Sequence, residues 1–157
     1  MPLRDFQLQA VRGIDDVLSE NRSALVVAPT GCGKTQIFCS HLATAPARHM
    51  VIAHREELIF QAQARLEQFV DTRVGVEMAD FKAATMGVLP SSVISTVQTQ
   101  VAKNGAGVRR MENFDPQLFH RLVIDEALHA AADTYREVIG HYMSHDNCKL
   151  IGVTATP

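Results

Sequence analysis

The stretch that decides the fold of this chain is Ala28-Pro29-Thr30-Gly31-Cys32-Gly33-Lys34-Thr35. It follows the GxxxxGK-Ser/Thr pattern of phosphate-binding loops, except that alanine stands at the first glycine position. An apolar run, Ala24–Ala28, leads into it, and a segment with helical spacing, Lys34–Leu42, follows. Gly31 and Gly33 let the backbone curl so that successive N–H groups point at phosphate oxygens. The sequence therefore predicts a nucleoside triphosphate site at this loop.

Each residue of the predicted loop has an expected role. Lys34 supplies a positive charge for the β- and γ-phosphates, and the Thr35 hydroxyl is a ligand for Mg²⁺. Cys32 is interpreted as a small loop residue, because no base that would activate its thiol is evident. The expected nucleotide-binding residues of the loop are Pro29, Thr30, Gly31, Cys32, Gly33, Lys34 and Thr35. The alternative is a glycine turn that precedes a helix without binding phosphate.

Short apolar runs alternate with segments of helical spacing along the whole chain. The predicted strands are Ala24–Ala28, Met50–Ala53, Arg73–Glu77, Val93–Thr96, Leu122–Asp125 and Leu150–Val153. The predicted helices are Phe6–Leu18, Lys34–Leu42, Glu56–Phe69 and Thr134–Met143. This alternation predicts an α/β fold with a mostly parallel sheet that helices cover on both faces. Ligands of such sheets bind at the carboxyl ends of the strands.

Composition indicates one soluble domain. The 157 residues are 46% hydrophobic and 20% charged, and no apolar run is long enough to cross a membrane. Three cysteines without a CxxC pair are typical of reduced thiols, so we expect a cytoplasmic protein. The net charge of −2 does not announce a nucleic-acid partner, but a groove needs only a local cluster of donors.

Two adjacent carboxylates, Asp125 and Glu126, follow the apolar run Leu122–Ile124. In a protein with a phosphate-binding loop, an aspartate at a strand end holds the Mg²⁺ shell, and a neighbouring glutamate can polarise the attacking water. We therefore expect Lys34, Asp125 and Glu126 to be the catalytic residues and Thr35 and Asp125 to hold the metal.

Asp125-Glu126-Ala127, followed by Val153-Thr154-Ala155-Thr156-Pro157, resembles motifs II and III of superfamily 2 helicases, the DEAD/DEAH group. Three further blocks are similar to family elements: Leu3-Arg4-Asp5-Phe6-Gln7, Ile52–Leu58 as motif Ia, and Ser95–Thr99 as motif Ib. The branch whose motif sequences are most similar includes the motor subunits of type I and III restriction enzymes and DNA repair helicases. The resemblance implies a RecA-like ATP-binding lobe that uses ATP and Mg²⁺ to move along nucleic acid.

The same resemblance assigns roles outside the phosphate loop. It implies that Arg4, Phe6 and Gln7 bind the nucleotide, with Gln7 reading the adenine edge and Phe6 lying beside it. Motifs Ia and Ib imply nucleic-acid contacts, with DNA favoured over RNA. The candidates for these contacts are Arg55, Thr96 and Gln98.

Other interpretations of the candidate nucleic-acid contacts stay open. Arg55 is also suited to opening the helix Glu56–Phe69 as an ordinary charged residue, and Thr96 is suited to a helix N-cap. Arg109 and Arg110 are interpreted as a solvated loop pair.

The sequence departs from the family pattern Asp-Glu-Ala-His at Leu128, where that pattern has histidine. Leucine cannot donate a hydrogen bond, and His129, one residue later, is expected to point elsewhere. The resemblance gives Thr154 and Thr156 the role of linking the nucleotide to the nucleic-acid surface. We therefore expect nucleotide binding to be retained and its coupling at Leu128, Thr154 and Thr156 to be impaired.

The resemblance covers residues 1–157 as one N-terminal lobe, without the second RecA-like lobe that supplies an arginine finger in the family. Because loss of such a finger costs about 10³–10⁵ in rate, the isolated lobe is expected to hydrolyse ATP poorly. Two other functions stay open: the corresponding lobe of a restriction-enzyme translocase, and an ATP-gated nucleic-acid-binding module.

Overall fold

Six parallel strands form one sheet in the computed structural model, which describes residues 3–45, 48–53, 55–70, 73–85 and 87–155, with only the backbone at 129 and 131. The strand order is β1-β6-β5-β2-β4-β3, and each neighbouring pair is parallel. The strands are β1 (Ser23–Val27), β2 (Arg48–Ala53), β3 (Val74–Glu77), β4 (Ser92–Thr96), β5 (Phe119–Asp125) and β6 (Lys149–Thr154). Several neighbours in the sheet are not consecutive along the chain, because parallel strands are joined by crossover connections.

Helices connect the strands and cover both faces of the sheet. They are α1 (Asp5–Glu20), α2 (Lys34–Thr44), α3 (Glu56–Leu66), α4 (Val97–Val101) and α5 (Asp133–Tyr142), with short 3₁₀ helices at Arg110–Asn113, Pro116–Leu118 and Ala127–Ala131. Helices α1, α2 and α3 pack in one apolar cluster, and α4 and α5 pack in a second. The fold predicted from the sequence is confirmed.

Alternation along the central strands explains why the sheet has two buried faces. In β2, Val51 and Ala53 belong to the cluster under α1, α2 and α3, whereas Met50 and Ile52 belong to the cluster under α4 and α5. All four side chains are at most 1% exposed. A strand that is covered on both sides must be apolar at successive positions, which is the pattern that the sequence carries there.

The observed bounds differ from the predicted ones in small ways. Helix α3 ends at Leu66 rather than Phe69, and the chain continues in a turn in which Phe69 N donates to Leu66 O. Strand β3 begins at Val74, one residue later than predicted. Helix α4 was not predicted, because five residues are too few for helical periodicity to appear in a sequence.

The register aligns the carboxyl ends of the strands along one edge. Val27 of β1 pairs with Thr154 of β6, Val153 of β6 pairs with Asp125 of β5, and Ala53 of β2 pairs with Thr96 of β4. The segments that follow these ends, including the phosphate loop and the acidic pair, therefore lie beside one another at this edge.

Candidate nucleotide-binding site

The loop between β1 and α2 depends on two glycines with left-handed backbone. Gly31 has φ of 84° and Gly33 has φ of 85°, a region that side chains of L-residues rarely adopt. At Gly33 a side chain is also excluded sterically, since a Cβ there would lie 2.4 Å from Gln7 Nε2. The turn is closed by Cys32 N, which donates to Pro29 O at 3.3 Å. Helix α2 begins at Lys34, so its free N–H groups face the loop.

Lys34 reaches back over this loop toward the acidic pair. Its Nζ lies 3.5 Å from Ala28 O and 3.8 Å from Glu126 Oε1. The Lys34 side chain is 11% exposed and that of Glu126 is 34% exposed. A mostly desolvated ammonium group beside the loop is a strong partner for phosphate oxygens, because the local dielectric is lower than in water.

The acidic pair adopts an unusual backbone. Glu126 has φ of 56°, which is uncommon for a residue other than glycine, asparagine or aspartate. Its N–H donates to Asp125 Oδ1 at 3.1 Å, so the aspartate holds the turn that follows β5. This turn directs the glutamate carboxylate toward Lys34. Strained backbone of this kind is found where the surrounding structure requires one side-chain direction.

A cavity of about 230 Å³ extends from the end of the loop to Asp125 of the acidic pair. Thr35 and Asp125 both line it, and a hydroxyl with a carboxylate is a donor set that Mg²⁺ prefers. The far wall consists of side chains from one stripe of α3, which motif reasoning did not single out: Leu58, Gln61, Ala62 and Arg65. Their spacing of three and four residues marks one helix face, and this was the available signal in the sequence.

The structure gives Gln7 a different contact from the expected one. Gln7 is 2% exposed, and its Nε2 donates to Cys32 O at 2.8 Å and to Gln36 Oε1 at 3.1 Å. Its Oε1 accepts from Arg4 N at 2.9 Å. The amide therefore joins α1 to the phosphate loop, and both of its polar ends are occupied. These contacts give Gln7 a bracing role at the loop, and the expectation that it also reads adenine stays a prediction.

Arg4 and Phe6 lie at the start of α1, beside Gln7. Both side chains are exposed, with Phe6 at 43%. They are placed on the surface next to the loop, and their roles as nucleotide ligands stay predictions.

The candidate nucleic-acid residues follow two neighbouring strands. Arg55 lies just beyond β2 at the N-cap of α3, and Gln98 lies in α4, just beyond β4; both are exposed. Thr96 is different, since it is fully buried and its hydroxyl accepts from Thr99 N at 3.2 Å. The structure therefore corrects Thr96 from a nucleic-acid contact to an N-cap. His54, within the motif Ia block, is outside the described residues.

The interpretation of Arg109 and Arg110 as a solvated pair is also wrong. Arg110 is paired through Nε with Glu77 Oε1 at 2.5 Å, and its other nitrogens donate to Ala79 O and Phe81 O. Arg109 pairs with Glu137 at 3.0 Å. Arg110 thus closes the turn after β3, and Glu77 is only 4% exposed. These partners are distant in sequence, so local pattern did not reveal them.

The coupling residues lie close to the loop. Ala28 N donates to Thr154 O at 3.0 Å, so the last residue of β6 is bonded to the first residue of the phosphate loop. Thr154 is 1% exposed, and Thr156 lies outside the described residues. Leu128 is 51% exposed in the 3₁₀ helix that follows the acidic pair. An exposed leucine offers an apolar surface where the family has a polar side chain.

Two of the cysteines, Cys39 and Cys148, are fully buried. Burial raises the pKa of the Cys39 thiol to about 12, and burial raises that of Cys148 to about 11.

Among the described residues, no cluster of three or more histidine, cysteine or acidic side chains is arranged to hold a metal ion. In the same part of the chain, no helix combines the length and the apolar character that crossing a membrane requires.

Comparison with known proteins gives a consistent result. The sequence family described as type III restriction enzyme, res subunit, matches residues 1–157. The Saccharomyces cerevisiae protein IRC3, named as an ATP-dependent helicase, is 28% identical over an alignment of 170 residues that covers 98% of this chain and 23% of that protein. The chain thus spans about a quarter of the length of this relative.

Solved structures share the fold. The UvsW helicase from bacteriophage T4 superposes with a TM-score of 0.71 at 17% identity, over 99% of this chain and 53% of UvsW. The type ISP restriction-modification enzyme LlaGI, in complex with a DNA substrate mimic, gives 0.70 at 17% identity, over 100% of this chain and 18% of LlaGI. At this level of identity the comparison establishes the fold, which is that of RecA-like helicase domains.

Proposed function

Because the chain belongs to the family described as type III restriction enzyme, res subunit, we propose that it is the ATP-binding lobe of an ATP-dependent helicase or translocase. One observation carries this proposal: the loop lysine and the acidic pair converge. Lys34 Nζ lies 3.8 Å from Glu126 Oε1, and Thr35 and Asp125 line one cavity beside them.

The residues of the site suit the parts of phosphoryl transfer. Lys34 and the loop N–H groups hold the β- and γ-phosphates, which binds the nucleotide and neutralises its charge. Thr35 and Asp125 would hold Mg²⁺, which supplies charge stabilisation and orientation when bound. Glu126 is the general base that accepts a proton from the attacking water. Its partly exposed carboxylate and its left-handed backbone, which fixes the direction of the side chain, support this role.

Nucleic acid is the proposed partner at the neighbouring strand ends. Arg55 and Gln98 are exposed and follow β2 and β4, whose ends are paired in register through Ala53 and Thr96. A guanidinium and an amide can bind phosphate and sugar oxygens without reading sequence, which suits movement along a strand. We propose that the nucleic acid is DNA rather than RNA. We also propose that a second RecA-like lobe closes the cleft over the nucleotide.

A translocase of the restriction-enzyme kind would move on DNA without separating its strands. The family description favours keeping this candidate. The other candidate, an ATP-gated binding module with impaired hydrolysis, is favoured by the exposed Leu128. Nucleic-acid-stimulated ATPase of Leu128→His separates a motor from a binding module. A gain in stimulation supports a motor whose coupling Leu128 weakens, and no gain supports the binding module.

Nucleic-acid binding is tested by fluorescence anisotropy with single-stranded DNA and RNA of one sequence. Arg55→Ala is expected to weaken DNA binding at least several-fold, since one phosphate contact is lost. Arg12→Ala is the matched control, because Arg12 is an exposed arginine on α1. Equal loss in both variants, or no DNA binding by the wild-type chain, would contradict the proposed interface.

A further inference from the structure

A chain of buried hydrogen bonds joins α5, α4, β4 and β3. Tyr142 Oη donates to Gln100 Oε1 at 2.7 Å, and Gln100 Nε2 donates to Ser95 Oγ at 2.9 Å. Ser95 Oγ in turn donates to the backbone oxygen of Glu77 at 2.8 Å. Tyr142, Gln100 and Ser95 are fully buried, and Glu77 is 4% exposed. None of these side chains belongs to the nucleotide site.

Each member of this chain depends on the next. Both ends of the Gln100 amide are occupied, by Tyr142 on one side and Ser95 on the other. Burial raises the pKa of Tyr142, so its hydroxyl keeps the proton that it donates. A buried polar group that loses its partner cannot turn to water, so such a chain admits one arrangement of the elements that it joins.

Helix α4 needs these bonds to have a fixed orientation. It has five residues, from Val97 to Val101, and a helix of this length is not stable by itself. Thr96 caps its start, and Gln100 ties its last turn to β4 and α5. The exposed side chain of Gln98 lies on the same helix, so the direction of Gln98 is set by the bonds of Gln100.

Helix α5 connects this series of hydrogen bonds to the acidic pair. The 3₁₀ helix Ala127–Ala131 follows Glu126 directly, and α5 begins at Asp133. A Cβ at Gly152 of β6 would lie 3.0 Å from the Cβ of Ala127, so the 3₁₀ helix is seated directly on the sheet beside the acidic pair. A shift of the acidic pair when nucleotide binds would therefore move the start of α5.

We propose that Gln100 and Tyr142 are positioning residues that couple nucleotide binding at the acidic pair to nucleic-acid binding at α4. This inference rests on the proposed function, since it needs both ligands. The Tyr142–Gln100 bond connects the helix after the acidic pair to the helix that carries Gln98. By thermodynamic linkage, each ligand then changes the affinity for the other by the same factor.

The test measures this factor directly. The affinity of a labelled single-stranded DNA oligonucleotide is measured by anisotropy, with and without Mg²⁺ and a non-hydrolysable ATP analogue. Tyr142→Phe removes one hydroxyl, and Gln100→Leu removes the amide. The ratio of the two DNA affinities is expected to fall at least threefold toward one in both variants, while the affinity for the analogue alone stays within twofold. The double variant is expected to lose no more than either single variant.

A control separates coupling from stability. Val138→Ala, on the same helix α5, creates a defect at a fully buried side chain that makes no hydrogen bond through its side chain. It is expected to lower the melting temperature and to leave the affinity ratio unchanged. An unchanged ratio in Tyr142→Phe, or an equal change in Val138→Ala, would overturn the inference.

Failure of the proposed function has a different signature. A wild-type chain that binds neither analogue nor DNA contradicts the proposed function itself. A wild-type chain that binds both, with a ratio of one, leaves the proposed function standing and overturns the coupling. If Gln100→Leu does not fold, Tyr142→Phe decides alone, since phenylalanine retains the ring that packs against Phe119 with centroids 5.2 Å apart.

Discussion

Lys34 Nζ and Glu126 Oε1 lie 3.8 Å apart, although 92 positions of sequence separate the two residues. The lysine comes from the start of α2, and the glutamate from the turn after β5. Their charges attract each other in a site where both are partly shielded from water. A triphosphate whose γ-phosphate meets Lys34 would replace this carboxylate as the partner of the ammonium group. Binding is therefore expected to free Glu126 to act on water.

Replacing Glu126 by glutamine separates binding from hydrolysis. The amide keeps the size of the side chain but cannot accept a proton from water, so ATP hydrolysis, measured with the proposed second lobe present, is expected to fall at least about a hundredfold. Nucleotide affinity is expected to stay equal or to rise, because a competitor for Lys34 is removed. Steady-state ATPase and calorimetric titration check the two parts. A large loss of affinity would show that Glu126 holds the nucleotide instead.

The two loop glycines are expected to respond differently to alanine. Gly33→Ala adds strain of about 1–3 kcal/mol at a positive φ and also pushes against Gln7 Nε2, so nucleotide affinity is expected to fall about tenfold or more. Gly31→Ala carries only the backbone strain, because no atom lies within 4 Å of its Cβ position. Gly13→Ala, within α1, is the control and is expected to stabilise the fold by about 0.5–1 kcal/mol. Equal affinity in the two loop variants would contradict the steric role of Gln7.

Gln7→Ala tests whether the amide braces the loop or reads the base. Loss of the bonds to Cys32 O and Gln36 Oε1 is expected to weaken ATP and GTP binding by the same factor, because a phosphate-binding loop holds the phosphates that both nucleotides share. Parallel titrations with both nucleotides measure that factor. A loss confined to ATP would support the adenine-reading role instead.

Stability is expected to depend on pH through His41. Burial lowers the pKa of His41 below its ordinary value of 6.5, against the opposing effect of Asp15, whose Oδ1 lies 2.9 Å from His41 Nδ1. Arg121, which donates to His41 Nε2, also lowers the pKa of His41. Because the unfolded state then binds the proton more readily, stability is retained above about pH 6.5 and falls as the pH drops below it.

Chemical denaturation between pH 7.5 and 5 measures this dependence. His41→Gln is expected to flatten the slope below pH 6.5, and Asp15→Asn to steepen it, since the group that opposes burial is removed. Each unit by which the pKa is lowered contributes about 1.4 kcal/mol. A slope that is unchanged in His41→Gln would contradict the assignment.

The order of strands and helices and the phosphate loop could be predicted because their signals are local. Ala24–Ala28 and Leu122–Asp125 are apolar runs that end in polar motifs, and glycine spacing specifies the loop without knowledge of the rest. The predicted strands lie within one residue of the observed ones at their carboxyl ends. For the same reason, the acidic pair was placed correctly beside the loop.

The roles of side chains that the local sequence pattern did not reveal depend on tertiary contacts. Gln7 bonds to residues 25 and 29 positions away, and Arg110 bonds to Glu77 across 33 positions. Such partners depend on how α1 and the turn after β3 pack, which spacing along one segment does not encode. Thr96 satisfied two patterns at once, and its burial decided in favour of the N-cap.

Nucleotide binding at residues 28–35 is tested most directly by titrating a fluorescent ATP analogue with Lys34→Ala in the presence of Mg²⁺. The affinity is expected to fall at least about a hundredfold, because the mostly buried ammonium group is the expected main counter-charge of the β- and γ-phosphates. Lys82→Ala, which removes a lysine that is 64% exposed and paired with Glu77, is expected to bind as the wild type does. Binding that is equal in wild type, Lys34→Ala and Lys82→Ala, or absent in wild type, would contradict the claim that residues 28–35 hold a nucleotide.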